Sequence, residues 1–378
     1  MSVEWSLKRL GFVVNPVAGM GGRVGLKGSD GAETLRRARE LGATEMSPTR
    51  ATEALRHLAA IKDQFELVTY PGEMGEDEAR AAGFEPRVLG KIKAGSTTSA
   101  DTKAAAAEMA SLGIDLLLFA GGDGTARDIC EAIDGKVPAL GIPTGVKIHS
   151  GVYAVSPAAA GVLAVKYLTG EVTSVQQAEV MDVDEDAFRD NRLSARLYGY
   201  LRVPREEAYM QGSKEATPVD EGENIKAIAA DLADEMDPDT LYVLCPGSTI
   251  SSVAEHLGLE KTLLGVDVVK GGKIIAKDVN EEQLLKLVTG KRAKIVVTVI
   301  GGQGFVFGRG NQQISARVIR AVGRENIVIA ATPAKLATLH GKPLLVDTGD
   351  TVLDAELAGY TRVVTDYGRR VVYRIKSG

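Results

Sequence analysis

The segment LLLFAGGDGTARDI, Leu116 to Ile129, constrains the fold more than any other stretch of the chain. An apolar run with no polar alternation is the pattern of a strand covered on both faces, which is the environment of a parallel sheet. It runs straight into Gly-Gly-Asp-Gly-Thr and then into helical spacing. The same order recurs along the first half. LGFVVNP (Leu10 to Pro16), FELVTYPG (Phe65 to Gly72), PRVLGKI and VPALGIP read as short buried strands. Helical spacing lies between them, at Gly31 to Leu41, Thr52 to Ile61 and Ser99 to Gly113, the last capped by Ser99 or Asp101 and ended by Gly113. ARDICEAI (Ala126 to Ile133) is read as the helix after the Gly-Gly-Asp-Gly-Thr turn. Strands alternating with helices predict an α/β fold with a parallel sheet in the N-terminal half.

Composition narrows the function classes. A chain of 378 residues has ample core without disulfide staples. Its two cysteines, Cys130 and Cys245, offer neither a disulfide framework nor metal-ligand spacing, and the four histidines form no metal-binding pattern. The formal net charge of −5, with no basic block, argues against nucleic acid as a partner. The N-terminus lacks the apolar region of a signal peptide, and no run approaches the length of a membrane span. A cytoplasmic location is the expectation, with no membrane partner.

From about Gly151 the texture changes. A helix over SPAAAGVLAVKYLTGE is followed by the alternating segments TSVQQAEVMDV and LSARLYGYLRVP, of antiparallel character. Then come a helix over EGENIKAIAADLADEM and three strand–turn–helix units, at TLYVLCPGSTISSVAEHLG, at the segment beginning KIVVTVIGGQG and at NIVIAATPAKL. TRVVTDYGRRVVYRI reads as a hairpin tipped at Asp366-Tyr367 or Tyr367-Gly368. The division expected is an N-terminal domain over 1–150 and a mixed α/β domain over 151–378 that forms the other wall of a crevice.

The Gly121–Thr125 turn has a chemical reading. A strand of an open α/β sheet delivers its loop to the edge where ligands bind. Gly121, Gly122 and Gly124 let backbone amides approach a ligand closely, and a helix N-terminus beginning near Thr125 or Ala126 adds a partial positive charge. Such a turn faces phosphate. An aspartate there repels phosphate unless Asp123 holds Mg²⁺ or takes a proton from an attacking hydroxyl. The alternative is that Asp123 and Thr125 only cap the helix.

GGDGT resembles the hallmark of the superfamily that joins NAD kinases, diacylglycerol and sphingosine kinases and phosphofructokinases. VVNPVAGMGG (Val13 to Gly22) is similar to that superfamily's first motif, and ALGIPTGVKIHSGVYAVSPAAAG (Ala139 to Gly161) is similar to the NAD kinase passage after GGDGT. CPGSTISSVAEHLG loosely resembles the NAD kinase PTGST segment. With GRGNQQIS and ATPAKL added, the pattern looks most like the prokaryotic ATP-NAD kinase-like family, which also contains proteins named for acetoin catabolism. The resemblance is specific over residues 11–160 and family-level beyond.

What the resemblance implies is Mg²⁺-dependent phosphoryl transfer from ATP, or another phosphate donor, to a small-molecule hydroxyl. NAD to NADP is the best named activity. Asp123 would be the general base. Gly121, Gly122, Gly124 and Thr125 would hold nucleotide phosphates, with Asn15, Gly19, Gly21 and Gly22 on the opposite wall and Thr144 and Lys147 beside them. Lys147 stands where the NAD kinase turn has asparagine, and the ribose-gripping Asn-acid pair has no counterpart in AEVMDVDED (Ala178 to Asp186). Another small-molecule alcohol is therefore a rival acceptor, and a non-catalytic nucleotide sensor is a second rival. Homo-oligomers are implied by the resemblance alone. In the second half, Ser248 and Thr249 open a helix after a strand, and Arg309, Asn311, Gln312 and Gln313 follow a glycine-rich turn. All six are candidate ligand contacts.

Overall fold

The structure is a computed structural model that describes residues 7–26, 32–146, 148–183, 195–206, 208–210 and 221–378. Lys147 and residues 184–186 of the acidic AEVMDVDED stretch lie outside the described residues.

The first half opens with β1 (Lys8–Val14), α1 (Ala32–Glu40), α2 (Ser47–Arg56) and β2 (Phe65–Thr69). It continues with α3 (Glu76–Ala81), β3 (Arg87–Val88), α4 (Ser99–Ser111), β4 (Leu116–Gly121), α5 (Asp123–Ile133) and β5 (Ala139–Pro143). The strands form one parallel sheet in the order β3-β2-β1-β4-β5. Strand order reverses between β1 and β4, so their carboxyl ends flank the crevice that open α/β sheets use for ligands. The unalternating apolar runs have their expected cause. Leu10, Phe12, Val14 and Leu116 through Ala120 are fully buried, sandwiched between helices on both faces.

Local details depart from the sequence expectation. The third strand keeps only Arg87 and Val88, because Gly90 takes φ +60 and packs against the Tyr70 ring, which turns the chain out of the sheet. The second helix starts five residues earlier than its spacing suggested, at Ser47. The cap of α4 is Thr98 in a capping box with Asp101, not Ser99 or Asp101 itself. Helix α5 begins at Asp123 rather than near Thr125, since the Ala126 amide already donates to the Gly122 carbonyl at 3.0 Å.

Helix α6 (Pro157–Leu168) and the antiparallel hairpin of β6 (Val175–Val183) and β7 (Ala195–Pro204) follow. Their apolar residues join the core of the first sheet, which extends to Met210. The remainder builds a nine-stranded mixed sheet in which the strands Leu241–Leu244, Ala293–Thr298, Ile327–Ala330 and Gly359–Asp366 run parallel. Its two faces carry separate apolar clusters: Leu241 and Val243 point to one, Tyr242 and Leu244 to the other. The closing hairpin turns at Tyr367-Gly368. The chain is thus an α/β protein with an N-terminal parallel sheet and a second mixed sheet.

One buried acid gives a test of the first unit. Glu78 in α3 is 4% exposed and its Oε2 has no hydrogen-bond partner. Burial, reinforced by Asp77 and Glu73, pushes its carboxyl up to about 7 from 4.5. The folded chain holds this proton where the unfolded chain has lost it, so stability falls as pH climbs from about 4.5 to about 7 and is level above. Glu78→Gln is expected to be more stable than wild type near pH 8, by on the order of 2 kcal/mol, with the gap closing near pH 5. Urea unfolding at the two pH values checks this; an equal difference at both would contradict it.

Candidate functional site

The first motif and the GGDGT turn meet at the switch point. The Asn15 amide donates to the Ala120 carbonyl, and Asn15 Nδ2 donates to Thr125 Oγ1, both at 3.0 Å. After Asn15 the chain folds into successive turns, with Gly22 N on the Gly19 carbonyl and Leu26 N on the Gly21 carbonyl. Gly19 has φ +77, and a Cβ there would stand 1.9 Å from the Thr144 carbonyl oxygen. Across the crevice, Gly122 and Gly145 touch backbone to backbone: a Cβ on Gly145 would lie 2.7 Å from the Gly122 Cα. Glycine at 19, 122 and 145 is a packing requirement of this crevice, independent of any ligand.

Asp123 lies in the first turn of α5 and is 8% exposed. Its Oδ2 accepts from the His149 amide at 2.8 Å and stands 3.1 Å from His149 Nδ1. Its Oδ1 accepts from the Ser150 amide at 3.0 Å and from Ser150 Oγ at 2.6 Å. Ser150 Oγ in turn accepts from the Met181 amide of β6 at 2.9 Å. Tyr153 donates its hydroxyl to the Gly122 carbonyl. The passage after β5 therefore wraps over the GGDGT turn, held by the Asp123 carboxylate, by the Tyr153 hydroxyl and by the Thr144 and Gly145 amides, which both donate to the Gly121 carbonyl. His149 Nε2 is buried with no partner. Neither His149 nor Ser150 was found from sequence. The histidines show no metal-binding spacing in the sequence, and an Asp–His pair separated by 26 positions carries no local signal.

The second half reaches the same region through its glycine-rich turns. Gln303 Nε2 donates to the Ile148 carbonyl at 2.9 Å, next to His149. The Gly310 amide and Gln312 Nε2 both donate to the Val146 carbonyl. A Cβ on Gly22 would meet Gln312 Cβ at 3.1 Å, so the first motif also touches this loop. Arg309 is 4% exposed. It donates to Asp347 Oδ2 at 2.7 Å and to the Gly308 and Val155 carbonyls, and it stacks over Phe305 at 4.4 Å. Arg50 of α2 binds the same Asp347 oxygen and the Pro143 carbonyl. Burial alone would raise the Asp347 carboxyl, but the two guanidiniums hold it below the ordinary range.

The other candidates fall into different surroundings. Asn311 spends both amide groups on its own loop, at the Gly308 amide and the Val306 carbonyl. Gln313 is buried. Ser248 is exposed at the start of the helix Ser248–His256, whereas Thr249 is buried and accepts from Lys335 Nζ at 2.8 Å. Asp347 and Asp350 of the DTGD turn are both engaged by arginines, Asp350 by Arg320. Among the described residues no group of three or more His, Cys, Asp or Glu side chains could hold a metal ion.

Known protein families match both halves of the chain. Residues 10–172 match the ATP-NAD kinase N-terminal domain, and residues 237–375 match the ATP-NAD kinase C-terminal domain. The chain belongs to the ATP-NAD kinase-like family. No curated protein matches it. The N-terminal match ends inside the segment that packs on the first sheet, after α6. The N-terminal parallel sheet and the second mixed sheet match the two-domain architecture of this family of kinase-like phosphotransferases. Among the described residues no helix is long and apolar enough to cross a membrane.

Asp347 of the second half joins Arg50 of the first, and Arg309 from its own half shares the same carboxylate. Asp347→Asn leaves two buried guanidiniums without their shared carboxylate. It is expected to lower the unfolding free energy by about 3–5 kcal/mol. Guanidinium chloride denaturation tests this, and a loss below about 1 kcal/mol would show that the pair of ion bridges is not structural.

Proposed function

We propose that this ATP-NAD kinase-like chain catalyses Mg²⁺-dependent phosphoryl transfer from ATP, or another phosphate donor, to a hydroxyl of a small molecule, with NAD as the acceptor and NADP as the product. The observation that carries the reading is the placement of Asp123 in the first helical turn, at the switch point of a parallel sheet, among glycines that admit no side chain. Phosphoryl transfer asks a protein mainly for alignment and neutralisation of charge, and this crevice offers backbone amides and a helix N-terminus for both. Asp123 is the base in this reading. Gly121, Gly122, Gly124 and Thr125 hold phosphate on one wall, and Asn15, Gly19, Gly21, Gly22 and Thr144 stand on the other. Magnesium fits as a passenger on the nucleotide: such sites commonly use few protein carboxylates and several phosphate oxygens and waters. When bound, it would neutralise charge developing on the transferring group.

The network around Asp123 bears on how this works. Three donors and the His149 ring nitrogen surround the carboxylate, so an acceptor hydroxyl reaches an oxygen only where one of them gives way. The Ser150 hydroxyl is the group whose rotation frees an oxygen at least cost to the backbone. The same saturation supports one rival, a nucleotide sensor in which Asp123 serves purely as a latch.

Incubation with Mg²⁺, ATP and NAD, with NADP read by an NADP-specific dehydrogenase, separates the two. The proposal expects NADP from wild type and a loss of at least about 10³-fold in Asp123→Asn with the first sheet still folded. No NADP from a wild type that binds ATP tightly would favour the sensor. Turnover in a folded Asp123→Asn would remove the general-base role.

A further inference from the structure

We propose that His149 Nε2 takes the proton of the acceptor hydroxyl, with the Asp123 carboxylate holding the imidazole in place. This role rests on the kinase reading above and sharpens it: Asp123 acts as base through the ring it binds, and the two side chains work as one unit.

The hydrogen bonds fix where the ring carries its hydrogen. His149 Nδ1 stands 3.1 Å from Asp123 Oδ2, and the same carboxylate accepts from the His149 amide, the Ser150 amide and the Ser150 hydroxyl. A carboxylate that receives these donors offers Nδ1 only a lone pair, so Nδ1 is the protonated nitrogen. Nε2 is then the basic nitrogen, on the far side of the ring from the carboxylate. It has no hydrogen-bond partner among the described residues, and His149 is only 4% exposed.

Buried polar groups in folded proteins nearly all have partners, and a catalytic role is one of the few reasons for an exception. The Asp123 oxygens are already engaged, so a hydroxyl that approaches them displaces a donor. At Nε2 it displaces nothing. A latch for the turn needs only Nδ1, which leaves the second nitrogen with no use in folding. The ring also stands in the right part of the fold. Asp123 opens α5 at the switch point of the parallel sheet, so a ring bonded to it lies at the edge where ligands of such sheets bind. The backbone beside the ring is pinned from both halves, the His149 amide by Asp123 and the Ile148 carbonyl by Gln303. A base held by a third group is the arrangement that activates hydroxyl nucleophiles.

In the transfer, the acceptor oxygen attacks the terminal phosphorus of the phosphate donor while its O–H proton moves to Nε2. The bond from that phosphorus to its bridging oxygen breaks, and the electron pair leaves on the shortened donor. The imidazolium, paired with Asp123, gives its proton to water once the product has left.

His149→Asn separates the two nitrogens. Its side-chain amide places a donor where the ring has Nδ1 and puts nothing in place of Nε2. In the NADP assay it is expected to lose about 10²-fold or more in kcat, with KM for ATP little changed and the amides of 149 and 150 as protected from exchange as in wild type. A wild-type rate in this variant would overturn the role and leave Asp123 as the base by itself. Nitrogen-15 NMR of the wild-type ring reads the tautomer without turnover or substitution. Hydrogen on Nδ1 is expected, and hydrogen on Nε2 would overturn the role even if His149→Asn failed to fold. A wild type that makes no NADP would instead remove the kinase reading, and the proton-accepting role with it.

Discussion

A single carboxylate organises the crevice. Asp123 holds the His149–Ser150 turn by four contacts, and Ser150 passes the connection on to β6. Remove the carboxylate and two backbone amides, a hydroxyl and an imidazole lose their acceptor in a region with almost no access to water. Such groups cost far more unpaired than they gain when paired. The rest of the site depends on that clamp. With the turn in place, the Val146 and Ile148 carbonyls face the second half and receive Gly310, Gln312 and Gln303. Gly145, whose own amide donates to the Gly121 carbonyl, is pressed onto Gly122, which closes the floor of the crevice.

The seam between the two halves is built largely from polar groups. Arg50, Asp347 and Arg309 make a buried bridge, and the glycine-rich loops exchange backbone hydrogen bonds across it. The apolar clusters stay apart, one running from Leu10 to Met210 and the others from Ile228 onward. Polar seams favour defined registry and permit relative motion more readily than a continuous apolar core does.

The sequence made some of this legible and hid the rest for identifiable reasons. The strand–glycine–helix unit at Leu116 to Ile133 is local: an unbroken apolar run and three glycines specify a buried strand and a tight turn with no help from distant residues. The same holds for the hairpin of β6 and β7 and for the strand–turn–helix unit at Leu241 to His256. The partners of Asp123 were invisible because they come from a different segment, and nothing in HSG marks them as hydrogen-bond donors. Arg50 and Asp347 lie 297 positions apart, so no pattern joins them. Arg309 was singled out for its isolated charge in a glycine-rich turn, and the structure gives that charge a carboxylate, two carbonyls and an aromatic face. Element ends were misread wherever a tertiary contact decides them, as at Gly90 against Tyr70 and at the first turn of α5.

The most direct test of the Asp123 clamp is amide hydrogen exchange at His149 and Ser150, measured in wild type and in Asp123→Asn. The account predicts strong protection in wild type and a loss of protection confined to the 144–153 passage in the variant, with the first sheet unchanged. Equal protection in both proteins would mean that the turn is held by other contacts and that Asp123 does not organise the site.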